Sequence, residues 1–295
     1  MAYGQESSPP GQNPPWTSQR GGGGASLYKP FSTPPAKYWG PSMGKVIVVF
    51  VGPAGSGKST LVAAYSKWLR EGGIPVYTVN LDPAVDRTPY EPDFDVRTIV
   101  DAREIARKYG LGPNGALVKS MEFIAENLEA ILSKIASTDT DYVLVDTPGQ
   151  MEVFLFRDLA WRLGEGLKKI SEQSYAIFIL DASVIKDPAD YAFLLVMSTA
   201  VQLRLNLETA PVINKADLAP NIEFRGDIWR DYARLSRMLK ESHTLYTDML
   251  RDIMKVLLTY NKRVEVPRVS ALKGEGMEEL HRLILEMGCS CGDLS

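Results

Sequence analysis

A glycine-rich run near residue 55 has the residue types and spacing of a phosphate-binding loop. The run Gly52-Pro53-Ala54-Gly55-Ser56-Gly57-Lys58-Ser59 follows an apolar stretch at 45–51 and precedes a helical pattern. Because glycine has no Cβ, the backbone N–H groups of such a loop can turn inward on a phosphate. Lys58 is expected to reach the β- and γ-phosphates, and the Ser59 hydroxyl to bind Mg²⁺. The expected phosphate contacts are Gly55, Ser56, Gly57, Lys58, Ser59 and Thr60.

A second motif, Asn214-Lys215-Ala216-Asp217, follows the apolar residues 211–213. The Asp217 carboxylate can accept hydrogen bonds from N1–H and the 2-amino group of guanine. Adenine offers neither donor, and a buried acceptor without donors costs roughly 1 to 3 kcal/mol. We expect Asn214 at the N7/O6 edge of the base, the Lys215 stem across its plane, and the N–H of Ala271 at O6. The alternative for this motif is a helix N-cap, a position that Asp and Asn also favour.

Polar residues follow several other short apolar stretches. Asp146 ends the stretch 142–146 and is expected to hold Mg²⁺, usually through a bound water, while the N–H of Gly149 can meet the γ-phosphate. Strands expected at 45–51, 76–80, 142–146, 175–181, 211–214 and 264–270 alternate with helical patterns. This alternation predicts a three-layer α/β fold with a doubly wound, mostly parallel sheet, as in P-loop NTPases. Ligands of such folds bind outside the carboxyl ends of the strands, so one shared site is expected.

The composition and the apolar stretches argue against several classes of protein. The 295 residues are 45% hydrophobic and carry a formal net charge of −3, which argues against a nucleic-acid binder. No stretch has the length of a membrane-spanning helix and the N-terminus does not have the form of a signal peptide, so we expect no membrane association and a cytoplasmic location. Cys289 and Cys291 lack the spacing of a four-ligand zinc site, and a plain tail role is favoured over metal binding.

The chain divides into two regions of different composition. Residues 1–42 hold eight of the nineteen prolines and a run of four glycines, a composition that predicts a disordered extension. Its aromatic residues could anchor a partner, or the extension could be an artefact of a gene start at Met43. Residues 43–295 form the expected catalytic domain, with a helical insertion at about 221–262. Two apolar stripes at helical spacing there are expected in the core: Ile228, Tyr232, Leu235 and Leu239, then Leu245, Met249, Ile253 and Leu257.

From about Met43 to Ser295 the chain resembles the GPN-loop GTPases, P-loop GTPases of the SIMIBI class, and most of all an archaeal-type member. The resemblance rests on the two nucleotide motifs and on five further stretches. These are Val79 to Ala84, Tyr90 to Arg97, Gly112-Pro113-Asn114, Asp146 to Glu152, and the ending Cys289 to Leu294. Leu272 departs from the pattern, because many GTPases have Lys at this position. Without the resemblance, the Gly112-Pro113-Asn114 triplet predicts a turn, because Pro favours the second turn position and Asn tolerates a positive φ.

The resemblance implies roles for individual residues. Two protomers would face each other, and each would place Asn114 at the phosphates in the other's site, where it takes the place of an arginine finger. Asp82 would lie near the γ-phosphate and orient or deprotonate the attacking water, with a turn cap as the alternative. Gln150 and Glu152 would fix the same water. Together with Lys58, these are the expected catalytic residues.

The leading hypothesis is a homodimeric, Mg²⁺-dependent switch that hydrolyses GTP to GDP and phosphate. The resemblance also implies a protein client such as RNA polymerase, whose assembly the switch would assist. A non-catalytic scaffold that binds guanine nucleotide is the alternative. A P-loop small-molecule kinase or a metallochaperone is a third hypothesis. Residues 214–217 argue against the kinase, whereas Cys289 and Cys291 leave metal delivery open. His243 and His281 are expected to pack in the surface or core rather than to act in chemistry.

Overall fold

The structure is a computed structural model that describes residues 44–186, 188–219, 233, 237, 245–260 and 266–289. Several expectations fall outside these residues: the extension 1–42, the first apolar stripe of the insertion, His243, Cys291 and the side chain of Cys289. Within the described residues, no helix is both long enough and apolar enough to span a membrane.

Six parallel strands form a single sheet in the described part of the chain, in the order β3-β2-β4-β1-β5-β6. They are β1 (Val46–Val51), β2 (Val76–Asn80), β3 (Phe94–Asp95), β4 (Tyr142–Asp146), β5 (Ser174–Asp181) and β6 (Glu208–Asn214). The helices are α1 (Lys58–Glu71), α2 (Ala102–Tyr109), α3 (Pro113–Glu126), α4 (Leu128–Ala136), α5 (Met151–Leu155), α6 (Asp158–Ile170), α7 (Pro188–Leu205), α8 (Leu245–Tyr260) and α9 (Met277–Cys289).

Helices cover both faces of the sheet. Every residue of β1 is buried, as expected of a central parallel strand. Val49 belongs to the apolar core shared with α3, α4, α6 and α7, whereas the neighbouring Phe50 contacts Tyr65 of α1 edge to face. Because successive side chains of a strand point to opposite faces, α1 lies on the other side of the sheet, where it packs with α9. The predicted three-layer, doubly wound fold is therefore confirmed.

One strand prediction was wrong, and one strand of the sheet was not predicted. Residues 266–270 run beside β6, but they form one isolated parallel bridge, Ile213 with Arg268, rather than the predicted strand. Pro267 accepts a hydrogen bond from Ile213 N but has no N–H to donate, which limits the ladder at this edge. The sequence analysis also missed β3, because two residues are too few to show a period.

The prediction that the second stripe of the insertion lies in the core is wrong for Met249, which is 50% exposed. Ile253 is half-buried, and the side chains of Leu245 and Leu257 lie outside the described residues. The neighbouring Leu250 and Met254 are buried where α8 packs against α7, since the position of α7 rather than the apolar pattern alone decides which side is covered.

Candidate functional site

The glycine-rich loop joins β1 to α1 and has the conformation that its sequence predicts. Gly57 has φ +88°, and a Cβ at this position would lie 2.4 Å from Asn214 Nδ2, so a larger residue is excluded by both backbone strain and contact. The Lys58 ammonium donates hydrogen bonds to the carbonyl oxygens of Gly52 (3.0 Å) and Pro53 (3.2 Å). Burial lowers the pKa of Lys58, and the nearby Asp146 and Asp82 partly oppose this effect. The loop therefore holds a cation against its own carbonyl groups.

Asp82 connects the segment after β2 to the segment after β4. Its Oδ1 accepts a hydrogen bond from Ala84 N (2.9 Å), and its Oδ2 accepts one from Gly149 N (3.4 Å). Burial raises the pKa of Asp82, and the N–H groups of Ala84 and Gly149 and the Lys58 ammonium oppose the increase. The carboxylate thus contacts the same N–H group that the sequence analysis assigned to the γ-phosphate.

Asp146 has the surroundings of a cation ligand. It is 1% exposed, its Oδ2 accepts a hydrogen bond from Tyr90 OH (3.1 Å), and its buried Oδ1 has no hydrogen-bond partner within the described chain. Burial raises the pKa of Asp146 to about 6, against the opposing effects of Ser59, Lys58 and Tyr90. A buried carboxylate oxygen without a donor, next to a serine hydroxyl, fits a divalent cation bound with phosphate oxygens. Ser59 and Asp146 therefore have the chemistry expected of Mg²⁺ ligands.

Asn214 links the end of β6 to two other segments. Its side chain is buried, Nδ2 donates to Ser56 O (3.0 Å), and Oδ1 accepts from Ala271 N (3.1 Å). The phosphate loop and the two segments expected to read the base are therefore held together by one amide. In the sequence analysis Asn214 and Ala271 N–H were assigned directly to the base, whereas here they bond to each other.

Lys215 and Asp217 each bond to a side chain of another segment. Lys215 has a left-handed backbone (φ 59°), and its ammonium pairs with Asp181 Oδ2 at 2.6 Å. Burial alone would raise the pKa of Asp181, but hydrogen bonds from Lys215 and Ser183 hold it below its ordinary value. Asp217 Oδ1 accepts from Ser270 Oγ at 2.6 Å. Lys215 and Asp217 are thus each held by a neighbouring segment, by Asp181 at the end of β5 and by Ser270 beside β6.

A cavity of about 510 Å³ brings most of the predicted phosphate-end residues together. It is lined by Ala54, Gly55, Gly57, Lys58, Ser59, Thr60, Asp82, Ala84, Thr147, Gly149, Gln150 and Lys215. The carboxyl ends of β1, β2 and β4 surround it, which is where ligands bind in this class of fold. The cavity therefore combines the loop with the Asp82 and Gln150 side chains expected to act on water.

Two predicted catalytic residues lie apart from this cavity within the described single chain. Asn114 is exposed in the first turn of α3, whose N-terminal residue is Pro113. Glu152 is exposed in the first turn of α5. Neither side chain lines the cavity.

Sequence analysis missed two residues of the site. Asp181 ends β5, so the rule that polar residues at strand ends share one site could have found it. Tyr90 lies in an irregular segment before β3 and carries no pattern that links it to Asp146. Only the folded chain brings this pair together.

Comparisons with known proteins agree with the geometry. A family model described as "Conserved hypothetical ATP binding protein" matches residues 50–290. The chain is 39% identical over 254 residues to GPN-loop GTPase PAB0955 of Pyrococcus abyssi, a match that covers 85% of this chain and 100% of the relative. It is 29% identical over 239 residues to GPN-loop GTPase 1 of Dictyostelium discoideum, which covers 80% of this chain and 60% of that relative.

A solved structure is also similar. The crystal structure of the Pyrococcus abyssi GTPase in apo form matches with a TM-score of 0.72 and 36% sequence identity. The match covers 83% of this chain and 98% of the solved chain. The likeness therefore extends over nearly the whole of the solved domain.

Proposed function

Because this chain belongs to the GPN-loop GTPase family and is a GTPase, we propose that it works as a homodimeric, Mg²⁺-dependent switch in which each protomer completes the other's site. The observation that supports nucleotide binding is the Asn214 side-chain amide, which forms hydrogen bonds with both Ser56 O and Ala271 N. This amide holds the end of β6, which we propose reads guanine, against the phosphate loop. The family model's description mentions ATP, but the carboxylate of Asp217 suits the donors of guanine and offers nothing to adenine.

In the proposed reaction, water attacks the γ-phosphorus and the bond to the β–γ bridging oxygen breaks. GDP leaves with that oxygen, and the proton lost by water ends on phosphate. Lys58 and the Gly149 N–H would stabilise negative charge on the γ-phosphoryl group. Asp82 and Gln150 line the same cavity and would position the water, with Glu152 as a further water-positioning residue. Ser59 and Asp146 would hold Mg²⁺, which neutralises charge on the β- and γ-phosphates when bound.

The proposed dimer accounts for the exposed Asn114. This side chain does not line the cavity of its own chain, and the large apolar residues Ile99, Tyr109 and Leu111 are exposed close to it in sequence. Exposed apolar residues of this kind are typical of interaction surfaces. We propose that this surface meets a second copy and delivers Asn114 to the partner's phosphates.

Phosphate release from GTP and from ATP, measured side by side with Mg²⁺, tests the proposed function. We expect GTP turnover to exceed ATP turnover by about a hundredfold or more, because the base pocket leaves polar groups unpaired with adenine. The specific rate should rise with protein concentration as dimers form. Equal turnover of ATP would contradict the Asp217 assignment. GTP binding without phosphate release above a Lys58→Ala control would identify a non-catalytic guanine-nucleotide scaffold instead.

The family resemblance also supports a protein client, for which we propose a multisubunit assembly such as RNA polymerase. A switch of this kind should hold its client in one nucleotide state and release it in the other. Affinity capture with the GTP-bound and GDP-bound protein should therefore recover polymerase subunits in unequal amounts. Equal or absent recovery in both states would exclude this client.

A further inference from the structure

A buried side chain at the end of β2 holds the backbone of Asp82. Asn80 is the last residue of β2 and is fully buried. Its Oδ1 accepts a hydrogen bond from Asp82 N (3.0 Å), and its Nδ2 donates to Asp82 O (3.2 Å). Both polar backbone groups of Asp82 therefore bond to one side-chain amide, which ties this residue of the nucleotide cavity to a strand end.

Asp95 and Arg97 continue this chain of hydrogen bonds beyond Asn80. Asn80 Nδ2 also donates to Asp95 Oδ1 (3.0 Å), and the two residues are register partners in β2 and β3. Arg97 Nε lies 3.0 Å from Asp95 Oδ1 and 3.1 Å from Oδ2, and Nη2 also donates to Oδ2. Burial raises the pKa of Asp95, but hydrogen bonds from Arg97 and Asn80 outweigh this effect and hold it below its ordinary value. Asp95 is therefore a charged acceptor that joins Arg97 to Asn80.

The same guanidinium also holds the segment that follows Asp82. Arg97 Nη1 donates to the carbonyl oxygens of Val85 (3.0 Å) and Asp86 (3.1 Å). Within this segment, Ala84 N donates to Asp82 Oδ1 (2.9 Å). A planar guanidinium can bond to a carboxylate and two carbonyl groups at once, whereas a lysine ammonium is a single compact charge. The segment 82–86 is thus held by Asn80 at its start and by Arg97 at its end.

We propose that Arg97, acting through Asp95 and Asn80, is a positioning residue for GTP hydrolysis, because it fixes the segment 82–86 with the Asp82 carboxylate at the cavity. This inference rests on the proposed role of Asp82 in positioning water. Arg97, Asp95 and Asn80 do not themselves line the cavity that the described residues form, so they act through Asp82 rather than on the nucleotide. A shift of about 1 Å in such a group can cost about a hundredfold in rate. Loosening the segment should therefore lower kcat and leave nucleotide affinity in place.

Arg97→Lys in the full chain tests the proposal, and Arg70→Lys is the matched control. Each substitution keeps the charge of a side chain that pairs with a carboxylate and is partly exposed, 24% for Arg97 and 44% for Arg70. Arg70 bonds to Asp93 and to Val76 O, at the opposite end of β2 from Asn80. We expect Arg97→Lys to lower kcat for GTP about tenfold and to change GDP affinity by less than about twofold. For Arg70→Lys, both quantities should change by less than about twofold.

Hydrogen exchange provides a second measurement that does not depend on activity. The backbone amides of Asp82 and Ala84 are hydrogen-bonded within the network, so their exchange in nucleotide-free protein, followed by mass spectrometry, reports whether the segment is held. Exchange should be about tenfold faster in Arg97→Lys and unchanged in Arg70→Lys. Equally faster exchange in both variants, or an equal loss of kcat and GDP affinity in Arg97→Lys, would indicate a general structural role and overturn the proposal.

A double variant separates this inference from the proposed function on which it rests. Asp82→Ala alone should lower kcat, and adding Arg97→Lys to it should change kcat by less than about twofold, because Arg97 then has no carboxylate to position. An unchanged kcat in Asp82→Ala would contradict the proposed role of Asp82 and the inference with it. If Asp82→Ala lowers kcat, a normal kcat in Arg97→Lys, or a further large loss in the double variant, would overturn the inference alone.

Discussion

At the scale of single residues, hydrogen bonds hold the side chains that we propose to read the base. Ser270 Oγ donates to Asp217 Oδ1, which orients the carboxylate. Lys215 is held in turn by Asp181. A substitution at Asp217 should therefore change which base is bound, without moving the phosphate loop.

We predict that Asp217→Asn exchanges guanine for xanthine recognition. The amide oxygen can keep the bond from Ser270, while the amide nitrogen replaces Oδ2 and donates to the C2 carbonyl of xanthine. The affinity for GDP should fall about a hundredfold and that for xanthosine diphosphate should rise. Competition against a fluorescent guanine nucleotide measures both. The control variant, Asp181→Asn, should weaken binding without this exchange; if both variants weaken both nucleotides alike, Asp217 does not read the base.

Tyr90 is predicted to position Asp146 for the metal. Tyr90→Phe removes the donor to Asp146 Oδ2, and a hydrogen bond to a charged group is worth about 1.5 kcal/mol or more. The Mg²⁺ concentration that gives half-maximal stabilisation of bound GDP should therefore rise about tenfold or more, with GDP affinity in excess chelator unchanged. Tyr77→Phe, on the neighbouring β2, is the matched control. A fall in GDP affinity without Mg²⁺ would instead indicate a general structural defect.

At the scale of elements, α1 begins at the phosphate loop and packs against α9. His281 of α9 is 3% exposed, and its Nδ1 lies 2.8 Å from Tyr65 OH of α1. The rings of Trp68 and Tyr142 flank the imidazole. The prediction that His281 packs rather than reacts agrees with this environment, because burial lowers its pKa to about 4.

This buried imidazole should make stability depend on pH. The unfolded chain takes up a proton near the ordinary His pKa of about 6.5, whereas native His281 stays neutral down to about pH 4. Stability is therefore fully present above pH 6.5 and is lost as pH falls toward 4, by roughly 1.4 kcal/mol per pH unit. Between pH 7 and pH 5, we expect the wild type to lose about 2 kcal/mol more than His281→Gln in urea unfolding. Carboxyl groups such as Asp146 contribute equally to both proteins, so parallel pH profiles would contradict the prediction.

At the scale of the whole molecule, the described single chain does not bring Asn114 to the cavity that it is proposed to serve. The triplet 112–114 instead begins α3 at an exposed position. If a second copy supplies Asn114, hydrolysis should depend on residues from two chains, whereas nucleotide affinity should depend mainly on one. This difference separates the proposed dimer from a monomeric enzyme.

We predict that Asn114→Ala lowers GTP hydrolysis about tenfold or more and leaves GDP affinity nearly unchanged, because the amide acts only at the phosphates of the partner site. The control Asn127→Ala, at the other end of α3, should reduce stability rather than turnover.

Mixing two variants of low activity distinguishes a site completed by a second copy from a site within one chain. A mixed dimer of Asn114→Ala and Lys58→Ala protomers contains one site with both Lys58 and a partner's Asn114. After exchange of equal amounts, about a quarter of wild-type activity should return, because half of the dimers are mixed and each has one complete site. Mixtures as inactive as their components would show that Asn114 acts within its own chain.

The amino-acid sequence by itself indicated a GTPase and the class of fold. Residues 52–59 and 214–217 predict phosphate and guanine contacts because each motif lies within one loop, and five of the expected strands could be predicted from short apolar runs. The tertiary structure alone decided which distant groups meet. Asn214 and Ser56 are 158 positions apart, Tyr65 and His281 are 216 apart, and Tyr90 and Asp146 are 56 apart. Local patterns carry no information on such pairs, since their contact follows from the order of strands in the sheet and from helix packing.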